Sequence, residues 1–176
     1  MGPVTKWSVT LVLPALLGGP RAREYGGALG GLMGRHAMLQ DTIVVRDAQE
    51  GFVGVTGELW SIAPSGKWQI ARFVNDKTDL PYRQGRLAPE QLLALTRVLQ
   101  SQSFAELPDS FGRDVKVNRH LITISVGKKR STLVLNAGEL ATRKSVSEAD
   151  AQAKLWCRFL SIIDTVQSLL KDSDKQ

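Results

Sequence analysis

The chain has 176 residues, of which 43% are hydrophobic, so it is long enough for one modest domain with an apolar core. Lys and Arg outnumber Asp and Glu by 23 to 17, and the net charge of +6 favours weak attraction to anionic surfaces. The bases are dispersed rather than concentrated with aromatic residues, which argues against a specific nucleic-acid binder. The single cysteine, Cys157, excludes an internal disulfide, so the fold must be held by packing.

Residues 1–39 differ in composition from the rest of the chain, being rich in Gly, Pro, Ala and Arg. Within them, WSVTLVLPALL (residues 7–17) is an apolar run of signal-peptide length, too short to span a membrane as a helix. We interpret residues 1–39 as a signal-peptide-like or disordered segment, which predicts export to the periplasm or the extracellular space. The alternative is a translation start at Met33 or Met38, for which we expect a cytoplasmic protein.

A regular pattern from Gln40 onward predicts one α+β domain over residues 40–171, followed by a disordered tail at 172–176. The alternation in Asp41–Ala48 predicts the first strand. The runs ELWSIA and KWQIARFV flank a turn at Pro64–Lys67 and predict a hairpin. Its expected inward-facing residues are Trp60 and Ile62 on the first strand, and Trp68 and Ile70 on the second.

Gly51, Gly54 and Gly57 are evenly spaced just before that hairpin. A nucleotide-binding loop would be followed by a helix, whereas a strand follows here. The spacing also matches neither the P-loop nor the dinucleotide-binding fingerprint. We therefore predict a tight turn or a bulged strand entry, because glycine tolerates positive φ.

The segment Asn75–Arg86 is polar and is interrupted by Pro81 and Gly85, which predicts a long loop of the kind that often carries function. The next stretch, LAPEQLLALTRVLQSQ, predicts an amphipathic helix that begins at Pro89. Its expected apolar face consists of Leu92, Leu95 and Leu99. Beyond the helix, Phe104 and Leu107 are expected to fold back onto the core.

HLITISVGKKRSTLVLN predicts a second hairpin, with Gly127–Lys129 at its turn. We interpret His120, at the edge of its apolar row, as a packed or capping residue, because the other histidine, His36, lies in the N-terminal segment. A long helix is predicted from Ser147 onward. Its expected buried stripe consists of Trp156, Phe159, Ile163, Val166 and Leu170.

The order strand, hairpin, helix, hairpin, helix predicts an α+β fold, with an antiparallel sheet built from hairpins and two helices packed against it. No catalytic, metal-binding or cofactor motif can be distinguished, so we expect no enzymatic activity, no metal and no cofactor. One alternative stays open, because a fold can bring distant acids together. The acids in question lie in predicted loops and are Asp76, Asp79, Asp109 and Asp114.

The chain carries four short motifs in a characteristic order: EGFVG after the first strand, LAPEQLLAL at the start of the first helix, FAELP after it, and DVKVNRHLITISV before the last hairpin. Together they resemble the emfourin-like (protealysin-inhibitor-like) domain over about residues 41–170. The best-known type of this domain inhibits thermolysin-like metalloproteases. The resemblance therefore implies a non-catalytic protein-binding module that inhibits such a protease. The chain departs from the pattern at Glu50, where such domains tend to have a second glycine, and in its longer Asn75–Arg86 segment.

A non-catalytic inhibitor needs a preorganised loop that enters a cleft at a small entropic cost. Two segments are candidates, the turn Gly51–Gly57 and the loop Asn75–Arg86, and Tyr and Arg are enriched at interfaces. The candidate partner-binding residues are Phe52, Asp76, Lys77, Tyr82 and Arg83. The alternative function is that of a small exported, envelope-associated domain with a structural role.

Overall fold

The fold is given by a computed structural model that describes residues 39–139 and 151–173. It contains an eight-stranded sheet and two α-helices. The elements in chain order are β1 (Ile43–Gly51), β2 (Gly54–Ile62), β3 (Lys67–Val74), β4 (Lys77–Thr78), β5 (Arg83–Arg86), α1 (Pro89–Ser101), a 3₁₀ turn (Phe104–Glu106), β6 (Ser110–Gly112), β7 (His120–Val126), β8 (Lys129–Leu135) and α2 (Ala151–Asp172). The predicted α+β fold is confirmed.

The sheet has the strand order β4-β3-β2-β1-β7-β8-β6, and β5 pairs with β3 beside β4. Every pairing is antiparallel except that between β6 and β8. The strands β1, β2 and β3 form a meander, and β7 and β8 form the second predicted hairpin. Pairing of β1 with β7 joins these two units into one sheet.

The glycine-rich stretch contains a two-residue turn, Phe52–Val53, between β1 and β2, as predicted. Gly57, in contrast, lies inside β2, opposite Ala48 of β1. A Cβ atom at Gly57 would lie 1.9 Å from the carbonyl oxygen of Asp47. Glycine is therefore needed at this position for the close approach of the two strands.

Both helices pack on one face of the sheet, where the core is formed. The predicted inward-facing residues of the first hairpin and the predicted faces of both helices are all buried, as are Phe104 and Leu107. In α1, Pro89 is the first residue, and the side chain of Gln91 accepts a hydrogen bond from the backbone N–H of Ala88 at 2.8 Å. The predicted start of the last helix, Ser147, lies outside the described residues.

The prediction of a long loop at Asn75–Arg86 is wrong, because the segment contains β4 and β5. Both strands pair with β3, which would otherwise be the edge of the sheet. Their sequence is polar because the outer strand of a sheet is open to solvent, and charged residues there discourage pairing with other chains. Tyr82 and Arg83 consequently belong to the sheet edge and not to a free loop.

The opposite face of the sheet, called the open face below, is not covered by either described helix. Strand alternation places Arg46, Ser61, Gln69, Thr123 and Thr132 on this face. The same alternation places the apolar residues Leu59 and Phe73 on this face, where the guanidinium of Arg46 lies 4.2 Å from the centre of the Phe73 ring. Neither α1 nor α2 is long and apolar enough to cross a membrane.

Candidate protein-binding site

Three connections lie side by side at one end of the sheet. They are the β1–β2 turn, the β3–β4 turn at Asn75–Asp76 and the segment 113–119 that precedes β7. The strand order β3-β2-β1-β7, with alternating strand directions, brings them together. We call these three connections the tip.

Hydrogen bonds fix the β3–β4 turn against the start of β2. The backbone N–H of Asn75 donates to the carbonyl oxygen of Val55 at 2.6 Å, and the N–H of Val55 donates to Oδ1 of Asn75 at 2.9 Å. Asn75 has a φ of 54°, in the left-handed region that asparagine tolerates better than most residues. The two turns therefore form one rigid unit.

A second set of bonds ties segment 113–119 to the end of β1. The backbone N–H of Glu50 donates to the carbonyl oxygen of Arg119 at 2.8 Å. The Glu50 carboxylate accepts hydrogen bonds from Nε and from the backbone N–H of Arg119, at 2.9 and 3.2 Å. The hydrogen bond from the Arg119 side chain lowers the pKa of Glu50. An exposed ion pair alone contributes little to stability. Here the pair adds to the backbone hydrogen bond between Glu50 and Arg119, and it orients segment 113–119.

The tip exposes three large apolar side chains. Phe52 is fully exposed at 106%, and Val53 and Val117 are each 72% exposed. No described residue covers them, although the cross-links described above hold the backbone beneath them. Phe52 and Val53 are adjacent in the turn, and exposed apolar residues grouped in this way are characteristic of an interaction surface.

The five residues predicted from the sequence fall into two groups. Phe52 and Asp76 lie in the tip, and Lys77, the first residue of β4, directly follows it. Tyr82 and Arg83 lie farther along the edge of β3, since the N–H of Tyr82 donates to the carbonyl oxygen of Ile70, four residues before Val74. Four residues of strand correspond to about 13 Å. The candidate residues of the Asn75–Arg86 segment are thus divided between the tip and the edge of the sheet.

Tyr82 and Arg83 line a small depression of about 160 Å³ beside the end of α2, called the edge cluster below. The Tyr82 hydroxyl donates to Oε1 of Glu58 at 2.6 Å, and Nε1 of Trp60 donates to Oε2 at 3.2 Å. Burial and the bond to Glu58 raise the pKa of Tyr82. The guanidinium of Arg83 lies 5.9 Å from the centre of the Trp68 ring. These contacts hold both predicted residues in place on the edge.

Sequence reasoning missed Val53, Val117 and the Glu50–Arg119 pair. Val53 directly follows Phe52 in a two-residue turn, where neither side chain can reach the core. Val117 alternates with Val115 in the segment before β7, a pattern typical of a strand, so the sequence does not indicate that Val117 is exposed. The pair between Glu50 and Arg119 joins residues 69 positions apart, for which one sequence offers no signal.

The four loop acids considered for catalysis lie in four separate connections of the fold. Asp109 accepts a hydrogen bond from Nζ of Lys129 at 2.9 Å. None of the four lines the edge cluster. None of them lines a second depression either, which lies on the open face where β3 pairs with β5. Within residues 39–139 and 151–173, no group of three or more His, Cys, Asp or Glu side chains is placed to hold a metal ion.

His120 is held between two hydrogen-bond acceptors near the tip. Its Nε2 lies 2.6 Å from Oδ1 of Asp47, and its Nδ1 lies 3.1 Å from the carbonyl oxygen of Glu139. Only the protonated imidazolium can donate to both. The hydrogen bond to Asp47 raises the pKa of His120 despite its partial burial. The carboxylate of Glu139 itself is engaged by Arg113 and Asn136.

We expect the free energy of unfolding to fall as the pH rises from about 6.5 through the raised pKa of His120. The folded state binds the proton more tightly than the unfolded state, so the stabilisation is complete at lower pH and is lost as the proton leaves. Urea unfolding at a series of pH values measures this slope. His120→Gln should flatten it. An unchanged slope in His120→Gln would contradict the assignment.

No known protein-family profile matches this chain, and a search of curated proteins gives no match either.

Proposed function

We propose that the protein is a non-catalytic binding module whose tip docks into the cleft of a partner protein, and that this partner is a thermolysin-like metalloprotease. The observation that carries the proposal is the fully exposed Phe52 on a turn held in place by neighbouring segments. Aromatic residues that insert into a pocket often dominate the binding energy of an interface.

The tip has the shape and the rigidity that a cleft-binding segment needs. It projects from the end of a sheet and is cross-linked on both sides, by Asn75 and by the Glu50–Arg119 pair. Little conformational entropy is then lost when it docks. Phe52, Val53 and Val117 provide an apolar centre, and Asp76 and Lys77 provide a polar rim.

The choice of a protease as the partner is supported by the emfourin-like resemblance. Two of its four motifs meet at the tip, because EGFVG contains Phe52 and DVKVNRHLITISV contains Val117. Glu50 and Arg119, which join these segments, belong to the same two motifs. The other two motifs form the start of α1 and the 3₁₀ turn after it. The motif residues that lie outside the core are therefore found mainly at the tip.

Titration against thermolysin-like metalloproteases from the source organism tests the proposal. We expect saturable inhibition at micromolar or lower concentration, with no cleavage of the protein, while a serine protease from the same organism serves as the control. No inhibition at micromolar concentration would reject the protease as partner. Tyr82→Ala and Arg83→Ala show whether the edge cluster contributes: weakened inhibition would extend the interface along β3, and unchanged inhibition would confine it to the tip.

A further inference from the structure

A second surface lies at the other end of the sheet, on the open face. There, an open depression of about 720 Å³ lies between the start of β1, the end of β2 and the paired strands β3 and β5. Its polar lining side chains are Thr42, Ser61, Lys67, Gln69, Gln84 and Arg86. We call it the basic depression. It is remote from the tip, so what is inferred for it does not depend on the proposed function.

Strand register places these side chains next to one another. Lys67 of β3 is directly opposite Arg86 of β5, and Gln69 is directly opposite Gln84. Trp68, between Lys67 and Gln69, is buried on the helix-covered face, so its two neighbours point to the open face. Ser61 of β2 is opposite Gln69 and extends the same row.

The β2–β3 turn fixes this arrangement. Gly66 has a φ of 84°, and its carbonyl oxygen accepts a hydrogen bond from the N–H of Leu87 at 2.9 Å. A Cβ atom at Gly66 would lie 2.8 Å from the carbonyl oxygen of Leu87. The turn is thus seated closely against the end of β5, which keeps Lys67 beside Arg86.

Among residues 39–139 and 151–173, no acidic side chain balances the charges of the basic depression. Lys67 and Arg86 are like charges at directly opposed positions, an arrangement that destabilises a sheet. No carboxylate lines the depression, and neither cation forms an ion pair with another described residue. Other basic side chains of the protein are paired with acids, namely Arg113, Arg119, Lys129 and Arg158.

We infer that the basic depression binds a phosphate monoester group. A doubly charged tetrahedral oxyanion matches an ammonium and a guanidinium placed side by side, and it removes their repulsion. The carboxamides of Gln69 and Gln84 and the hydroxyl of Ser61 add neutral donors beside the cations. The depression is larger than one phosphate, and its uncharged polar wall suits a hydroxyl-rich remainder.

Nuclear magnetic resonance titration with glucose 6-phosphate, with chloride at equal ionic strength as the reference, tests the inference. We expect saturable shifts of the backbone amides of Lys67, Gln69, Gln84 and Arg86. Arg86→Gln and Lys67→Gln should each raise the dissociation constant about tenfold or more, as expected for loss of a charge-assisted hydrogen bond. The control Arg97→Gln makes the same charge change on the exposed side of α1 and should bind like the wild type.

Thermal unfolding provides a second measurement. Without ligand, Arg86→Gln should unfold at a slightly higher temperature than the wild type, because the opposed charges are gone. Inorganic phosphate should raise the unfolding temperature of the wild type and not that of the variant. An equal loss of binding in Arg97→Gln, or shifts spread evenly over the surface, would reduce the effect to net charge and overturn the inference.

The source of the phosphate group is decided by a further arm of the same experiment. Phosphatidylcholine vesicles with and without phosphatidic acid are compared with glucose 6-phosphate in solution. If the protein binds the acidic vesicles and glucose 6-phosphate competes with this binding, the phosphate group belongs to a lipid headgroup. If the protein binds glucose 6-phosphate but not the vesicles, the group belongs to a soluble metabolite. Failure of both ligands would reject the site and would leave the tip and its protease partner unaffected.

Discussion

Replacing Phe159 with alanine is expected to lower the free energy of unfolding by about 3 to 5 kcal/mol. Phe159 has no exposed surface and lies on the face of α2 that packs on the sheet. Its ring meets that of Phe111 edge to face, with centroids 5.5 Å apart. Phe111 belongs to β6, so the pair fastens α2 to the far edge of the sheet. Truncation would leave a cavity between two elements that are held by many other contacts.

Urea unfolding followed by tryptophan fluorescence measures this loss. Lys154→Ala is the matched control, because Lys154 is exposed on the same helix and alanine favours helix. Trp156→Ala should be similarly severe, since Trp156 is buried one turn earlier with Arg113 over its ring; circular dichroism follows that variant. Losses under about 1 kcal/mol would mean that this stripe of α2 is not the core contact.

Phe52→Ala is expected to weaken binding of the partner about 30-fold or more, which corresponds to at least about 2 kcal/mol. Phe52 touches no core residue and is fully exposed, so its removal should leave the free energy of unfolding unchanged. The whole effect would then belong to the interface. The inhibition constant against the protease, with urea unfolding of the same preparation, separates the two quantities.

Leu80→Ala is the control for this substitution. Leu80 is 89% exposed and lies between β4 and β5, away from the tip. Both variants remove an exposed apolar side chain, but only Phe52→Ala should change the inhibition constant. Equal effects of the two variants would mean that general surface hydrophobicity drives binding and that the tip is not the site.

The elements predicted best are those whose own periodicity matches their burial. Trp60, Ile62, Trp68 and Ile70 alternate in sequence and are all buried beneath the helices. The three- and four-residue spacing of the α2 stripe is likewise reproduced in the core. In these segments the sequence pattern agrees with the tertiary environment, so the sequence alone is sufficient to predict which residues are buried.

The elements predicted worst are those whose structure depends on a distant partner. β4 and β5 are short and polar, and they are strands because β3 offers free backbone groups. The tip was predicted only in part for a similar reason. Phe52 and Asp76 could be proposed from their turns, but nothing in the sequence brings the segment 113–119 to the end of β1. That proximity follows from the β1–β7 pairing.

The pairing of β1 with β7 also has a consequence for the order of folding. Strands β1, β2 and β3 follow one another directly and close short loops, whereas β7 must close a chain of about 70 residues before it can join β1. We therefore expect the Phe52 turn to form with the meander and segment 113–119 to reach it in a later step. The amide hydrogen of Glu50, bonded to the Arg119 carbonyl, marks that step in hydrogen exchange, because it becomes protected only when the two halves of the tip have met.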